Sequence, residues 1–190
     1  MTSQYGAEYL GIEAAAAAVA GHLGTDGRFL LLVHVTDSAL VRPRRADLEE
    51  LEVLLGSGPA ADLQALLAGE LDPGSLESRT RAYLDLDQRR TRHLSGQVIR
   101  GVDRTLELLE AGRAGQARLL AEHLVTRVRA ERARLEQLLN ATLAPDDLEH
   151  LLECLAGHGL DCDPPRSLIT DRADGGHLLG AVLEGGCRSS

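Results

Sequence analysis

Four residues suited to borderline-soft metals recur at one spacing: His150, Cys154, His158 and Cys162 stand four apart. Thiolate and imidazole together suit Zn2+ or a similar ion. On a helix, His150 and Cys154 fall off the stripe of Leu148, Leu151, Leu152 and Leu155, so both are free to meet a ligand. Gly157 and Gly159 let the chain bend and turn His158 and Cys162 inward, with Cys187 or His177 as a further ligand. Structural zinc sites usually pair cysteines two to four residues apart, which this ladder does not do. The plainer reading is two incidental histidines and two small apolar cysteines. A zinc-binding sensor thus stands as one alternative beside the expectation of no cofactor.

Charge supplies a second signal. Residues 1–78 hold 4 Arg against 12 acids, residues 79–134 hold 13 against 7, and residues 135–190 hold 3 against 10. A basic segment of net +6 therefore lies between acidic segments of −8 and −7 in a chain of net −9. Arg89, His93, Arg100 and Arg104 lie opposite the apolar stripe of a long helix, where guanidinium groups can meet a phosphate backbone or an acidic partner. Asp103, Glu107, Glu122 and Glu131 are equally placed to pair with arginines along the same helices. Overall acidity weakens nucleic-acid binding, so self-paired, solvated faces are expected and a nucleic-acid partner is the lesser alternative.

His93 combines an exposed imidazole with neighbouring cations, which is what a phosphoryl-accepting histidine needs. The string Arg92-His93-Leu94-Ser95-Gly96, followed by a helix and a Gly-containing hairpin turn, resembles histidine phosphotransfer domains. The resemblance implies a helical bundle that relays phosphate through His93. Those domains carry a Lys shortly after the histidine. Here Ser95 stands in the corresponding place at a shorter spacing, so the resemblance rests on a few residues. The alternative is a surface histidine without a role.

Other chemistry is excluded or not nominated. All 20 basic residues are Arg, which rules out a Walker A lysine, a Schiff-base lysine and a Ser–Lys pair. With no Trp, one Phe and three Tyr, stacking platforms for single-stranded nucleic acid are not expected. No G-x-S-x-G, H-E-x-x-H, G-x-G-x-x-G or EF-hand loop occurs. Acid pairs such as Glu49-Glu50 and Asp146-Asp147 open helices, where the dipole favours them. No catalytic residue is nominated, and a non-enzymatic protein is expected.

The elements that position these residues follow from periodicity and punctuation. Tyr5, Tyr9, Ile12, Ala16, Val19 and Leu23 line one face and predict a helix over 3–23. Phe29 to Val35 is short, apolar and continuous, so it reads as a buried strand. Asp47 to Leu55 is a helix, and Pro59 opens another that runs to Leu67. After the Leu71-Asp72-Pro73-Gly74 turn, Ser75 reads as an N-cap. Leu84, Leu94, Val98, Val102, Leu106 and Leu109 share a face, and the stripe resumes after Gly112 with Leu120, Leu124, Val128, Leu135 and Leu138. That pattern predicts two long antiparallel helices. Pro145 opens a further helix, and 167–171 with 177–183 read as a β-hairpin.

The expected fold is α+β and mainly α-helical: a long antiparallel αα-hairpin, flanking helices and a small β-sheet. Its segments are residues 1–74 (helix, strand, helix), 75–143 (the basic αα-hairpin) and 144–190 (helix and β-hairpin), together one domain. A chain of 190 residues buries about 70% of its unfolded surface and needs no disulfides. Three widely spaced cysteines form no disulfide framework. No apolar run approaches the roughly 20 residues of a membrane span, and Glu8 and Glu13 lie where a signal peptide carries positive charge. The expectation is a cytoplasmic protein with no membrane partner, and the all-Arg usage points to a GC-rich genome. The function expected is regulatory or scaffolding, through an unidentified protein partner and through homodimerisation by long helices whose stripes exceed what the short flanking helices cover.

Overall fold

The computed structural model describes residues 1–85, 93–170 and 176–187. In chain order the elements are β1 (Thr2–Gln4), a 3-10 turn (Ala7–Leu10), α1 (Ile12–His22), β2 (Arg28–Val33), α2 (Arg42–Gly56), α3 (Pro59–Ala68), α4 (Pro73–Asp85), α5 (His93–Glu110), α6 (Ala114–Ala141), α7 (Pro145–Gly157), β3 (Leu160–Cys162), β4 (Arg166–Ile169) and β5 (Leu178–Cys187). The fold is a mainly helical α+β fold with a small mixed sheet. The chain divides into two compact units, Met1–Arg45 with Gln137–Ser190, and Ala46–Glu136. Among the described residues no helix is long and apolar enough to cross a membrane.

The first unit is built on β5. One edge of β5 pairs antiparallel with β2 from Arg28↔Gly186 to Val33↔Ala181. Its other edge takes two strands in succession, β3 beside Gly185–Cys187 and β4 beside Leu178–Val182. The free edge of β2 pairs in parallel with β1. The apolar run of β2 is not covered on both faces as its composition suggests. Phe29, Leu31 and Val33 are buried, whereas Leu30 is exposed. The covered face packs on Ala15, Ala16 and Val19 of α1 and Leu151 and Leu155 of α7. Each large side chain fully buried there contributes about 1.5–3 kcal/mol, and the small alanines let α1 and α7 lie close together.

Residues 3–23 do not form one helix. Thr2–Gln4 lie on the edge of β2, and Tyr5 continues the ladder by donating its N–H to the Leu32 carbonyl at 2.7 Å. The helix begins only at Ile12. Unpaired donors on the β2 edge outweigh the 3.6-residue recurrence of Tyr5 and Tyr9, because a polar tripeptide can satisfy them with backbone alone. Strand β3 had no signal in the sequence. It is three residues long and exists because the end of β5 needs a partner. At Gly185 it comes so close that a Cβ would collide with the Asp161 carbonyl and stand 2.9 Å from the Phe29 ring.

The second unit is helical. Leu51 and Leu54 of α2, Ala60 of α3, Tyr83 of α4, Val98 and Ile99 of α5, and Val128 and Leu135 of α6 form one cluster. Leu63, Leu76, Val102, Ala121 and Val125 form another. Helices α5 and α6 are the expected hairpin, turning at Gly112. The first arm is shorter than the stripe implied, because Leu84 belongs to α4. At Gly101 a Cβ would collide with the Leu124 side chain, so the two helices approach closely there. Of the stripe of α5 and α6 that motivates homodimerisation, Val98, Val102, Val128 and Leu135 are buried within this unit, whereas Leu94, Leu106, Leu109, Leu120, Leu124 and Leu138 are half-buried.

The start of α4 also differs from expectation. Asp72, not Ser75, is the cap: its carboxylate accepts the Ser75 N–H at 3.0 Å and the Ser75 hydroxyl at 2.6 Å. Pro73 then occupies the first helical position, where no donor is needed.

Two outcomes follow. Gly185→Ala should destabilise the fold by about 1–3 kcal/mol, the scale of overpacking, read as a lowered urea midpoint at unchanged slope; an unchanged midpoint would show that β3 can move aside. Asp72→Ala should lower the melting temperature at neutral pH. The Asp72 carboxyl is held below its usual range first by the Ser75 hydroxyl and then by the Ser75 N–H. Its stabilisation is therefore present above the unfolded carboxylate range and lost as pH falls through the folded one. The difference between wild type and variant should close in acid, and a pH-independent gap would contradict the cap.

Candidate functional site

The structure brings together half of the His/Cys ladder. On α7, His150 Nε2 lies 3.8 Å from Cys154 Sγ and 3.3 Å from Glu13 Oε1 of α1, and His150 Nδ1 lies 3.7 Å from Glu153. His158 follows the last turn of α7. Cys162 lies on β3, half-buried against the sheet core. Cys187 donates its thiol to the Gly24 carbonyl at 3.1 Å, and His177 is exposed beside Thr170. All three cysteines are free. Among the described residues no group of three or more His, Cys, Asp or Glu is arranged to hold a metal ion.

Of the basic face, Arg89 lies outside the described residues, and so does the side chain of His93, the first residue of α5. Arg100 is exposed. Arg104 pairs with Glu107 one turn along α5. On α6, Arg118 pairs with Glu122, Arg132 with Glu136 and Arg134 with Glu131.

Two buried polar clusters were not legible beforehand, since their members lie far apart in sequence. In the first unit, Glu8 on the 3-10 turn is 6% exposed, and its Oε1 lies 2.7 Å from His34 Nδ1 and 3.3 Å from the His34 N–H. The imidazole stacks on Tyr5 with ring centroids 4.2 Å apart. Burial, and then the charge of Glu8, raise the Tyr5 phenol above its usual value. In the second unit, Glu50 of α2 accepts the Ser95 N–H at 2.7 Å and the Ser95 hydroxyl, and Tyr83 bonds the same hydroxyl at 3.2 Å. Ser95 sits in the first turn of α5, so Glu50 satisfies an orphan donor where the helix dipole favours an anion. Both clusters fasten one element to another.

The concave site of most chemical interest lies in the second unit, between α4 and α5. Helix α4 contributes Glu77, Thr80, Arg81 and Leu84, and α5 contributes Asp103, Leu106, Glu107 and Glu110. On each helix these positions recur at three and four residues, so each presents one face to the cleft. The cleft holds about 220 Å3. Leu84 and Leu106 give it apolar walls, and four carboxylates face one guanidinium. Arg81 pairs with Glu77, and Glu107 is held by Arg104. Among the described residues Asp103 and Glu110 have no ion pair, and both are exposed. Thr80 is 4% exposed, and its Oγ1 has no hydrogen-bond partner. Such an arrangement stabilises a cation with an apolar body.

No protein-family model, no curated protein and no solved structure matches the chain.

The Cys162 thiol is raised above its usual value first by burial, then by the charges of Asp161 and Asp163. Less thiolate is present at a given pH, and the thiolate is the nucleophile. With iodoacetamide at pH 8, mass mapping should find Cys162 modified more slowly than a cysteine in an unstructured peptide, with the difference shrinking as pH rises. Equal rates at pH 8 would contradict this environment.

Proposed function

We propose that the protein is a non-enzymatic regulatory protein that works by binding, and that its helical unit recognises a cationic group. The observation that carries this reading is the carboxylate-lined cleft between α4 and α5, where Asp103 and Glu110 have no counterion among the described residues. Carboxylates converging on a cleft with apolar walls focus negative potential, which raises the local concentration of cations and rejects anions. The chain's net charge of −9 acts in the same direction. A ligand seated there touches two successive helices, α4 and α5, so its binding energy is added to the stability of the helical unit. That coupling is the physical basis for a regulatory output. Homodimerisation is not needed for this reading.

The test is backbone-amide NMR on the intact chain, titrated separately with arginine amide, a tetra-arginine peptide, spermidine and Mg2+. At least one organic cation should shift the amides of residues 77–84 and 103–110 in a saturable way, and the shifts should weaken with added salt. If none of the four produces a saturable shift at those positions, the reading is wrong.

A further inference from the structure

We propose that Cys154 is a site of thiol–disulfide exchange served by the His150 imidazole, and that its co-reactant is a small disulfide carrying ammonium groups. The site lies in the first unit and is independent of the cleft between α4 and α5.

All three cysteines pack against the core of that unit, yet each meets a different environment. Cys187 donates its thiol to the Gly24 carbonyl, which cannot take the proton. Cys162 is flanked by Asp161 and Asp163, whose charges oppose a thiolate. Among the described residues only Cys154 has a base beside it: its Sγ lies 3.8 Å from His150 Nε2, within hydrogen-bond reach of sulfur. Helix α7 turns Leu151 and Leu155 to the core, which leaves positions 150 and 154 adjacent on its flank, one turn apart. His150 is exposed and Cys154 half-buried, so both are open to a small reagent.

Two carboxylates complete the cluster. Glu13 Oε1, from α1, lies 3.3 Å from the same Nε2, and Glu153 Oε2 lies 3.7 Å from Nδ1. The Glu13 carboxyl is held below its usual range first by its own backbone N–H and then by His150. An imidazolium carries an N–H on each nitrogen, so positive charge formed on His150 sits between two negative groups.

The thiol proton of Cys154 passes to His150 Nε2, and the thiolate attacks one sulfur of the incoming disulfide. A bond from Cys154 to that sulfur forms, and the S–S bond of the co-reactant breaks. The released thiolate takes the proton from His150. Cys154 is oxidised and the co-reactant reduced, with no other electron source. Glu13 and Glu153 select the co-reactant, because their field attracts ammonium groups and repels carboxylates. Cystamine is therefore favoured over oxidised glutathione.

The experiment treats the intact, reduced protein at neutral pH and low salt with cystamine or with oxidised glutathione, and reads mixed disulfide at each cysteine by mass mapping after an acid quench. With cystamine, Cys154 should react roughly tenfold or more faster than Cys162 and Cys187, because a thiol without a base is only a few per cent thiolate at neutral pH. It should also prefer cystamine to oxidised glutathione, and added salt should shrink that preference. His150→Gln should slow Cys154 roughly tenfold, by the same thiolate argument, with Cys162 and Cys187 unchanged. Glu13→Gln with Glu153→Gln should reduce the preference for cystamine. All three replaced side chains are exposed, so the fold should tolerate the changes.

A Cys154 that reacts no faster than Cys162 and Cys187 would overturn the site. So would a His150→Gln protein in which Cys154 keeps its rate, or in which all three cysteines change together, since His150 would then act through the fold. Equal rates with the two disulfides, or a preference that survives the paired glutamate variant, would overturn the ammonium assignment.

Discussion

A strand of ten residues presents backbone donors and acceptors on both edges, and in the interior of a protein nearly all of them must be paired. Strand β5 meets that demand with three other strands: β2 takes one edge, while β3 and β4 divide the other. The rest of the first unit follows from this. The segment after α7 must turn at once to become β3, and the segment after β3 must become β4. Parallel pairing of β1 with the far edge of β2 then draws the first residues of the chain into the sheet and away from the helix that their periodicity implies. The cost is clearance. Where β5 passes Phe29 and the Asp161 carbonyl, only the absence of a side chain at Gly185 leaves room.

The helical unit solves a different problem. Helix starts leave N–H groups without partners, and the fourth-residue carboxylate of a capping box is not available at the start of α5. Glu50, brought from α2, serves instead, and Tyr83 of α4 joins at the Ser95 hydroxyl. One buried carboxylate thereby ties three helices. Glu8 plays a comparable part in the first unit by fastening the 3-10 turn to His34 at the end of β2. A buried carboxylate is costly unless its bonds are made. Glu8 meets this condition less completely, since its Oε2 has no partner.

Local electrostatics need not follow the charge of a sequence segment. Residues 79–134 carry a surplus of arginine, yet the cleft in that part of the chain is lined by carboxylates. Several of the arginines are turned outward and pair with acids one turn away on the same helix. Such exposed pairs add little stability, about 0.3–0.5 kcal/mol each, but they neutralise positive charge along the outer faces.

The sequence by itself determined the class of fold, the hairpin turning at Gly112, the helix after Pro145, the strand near residues 29–33 and the C-terminal β-hairpin. Each of these is written in local periodicity and in turn residues, which act over a few positions. It also placed His150 and Cys154 one helical turn apart, and they do meet. Tertiary structure alone decided the rest. Thr2–Gln4 and Leu160–Cys162 are strands only because another strand's edge is there to be paired. Glu8 and His34 are 26 residues apart, and Glu50 and Ser95 are 45 apart. No spacing rule links them, and each looks in isolation like a surface residue. The cleft has the same origin. Asp103 and Glu110 read as ordinary solvated acids of a basic helix until α4, the helix that precedes it in the chain, packs beside it and brings Glu77 into the same cleft.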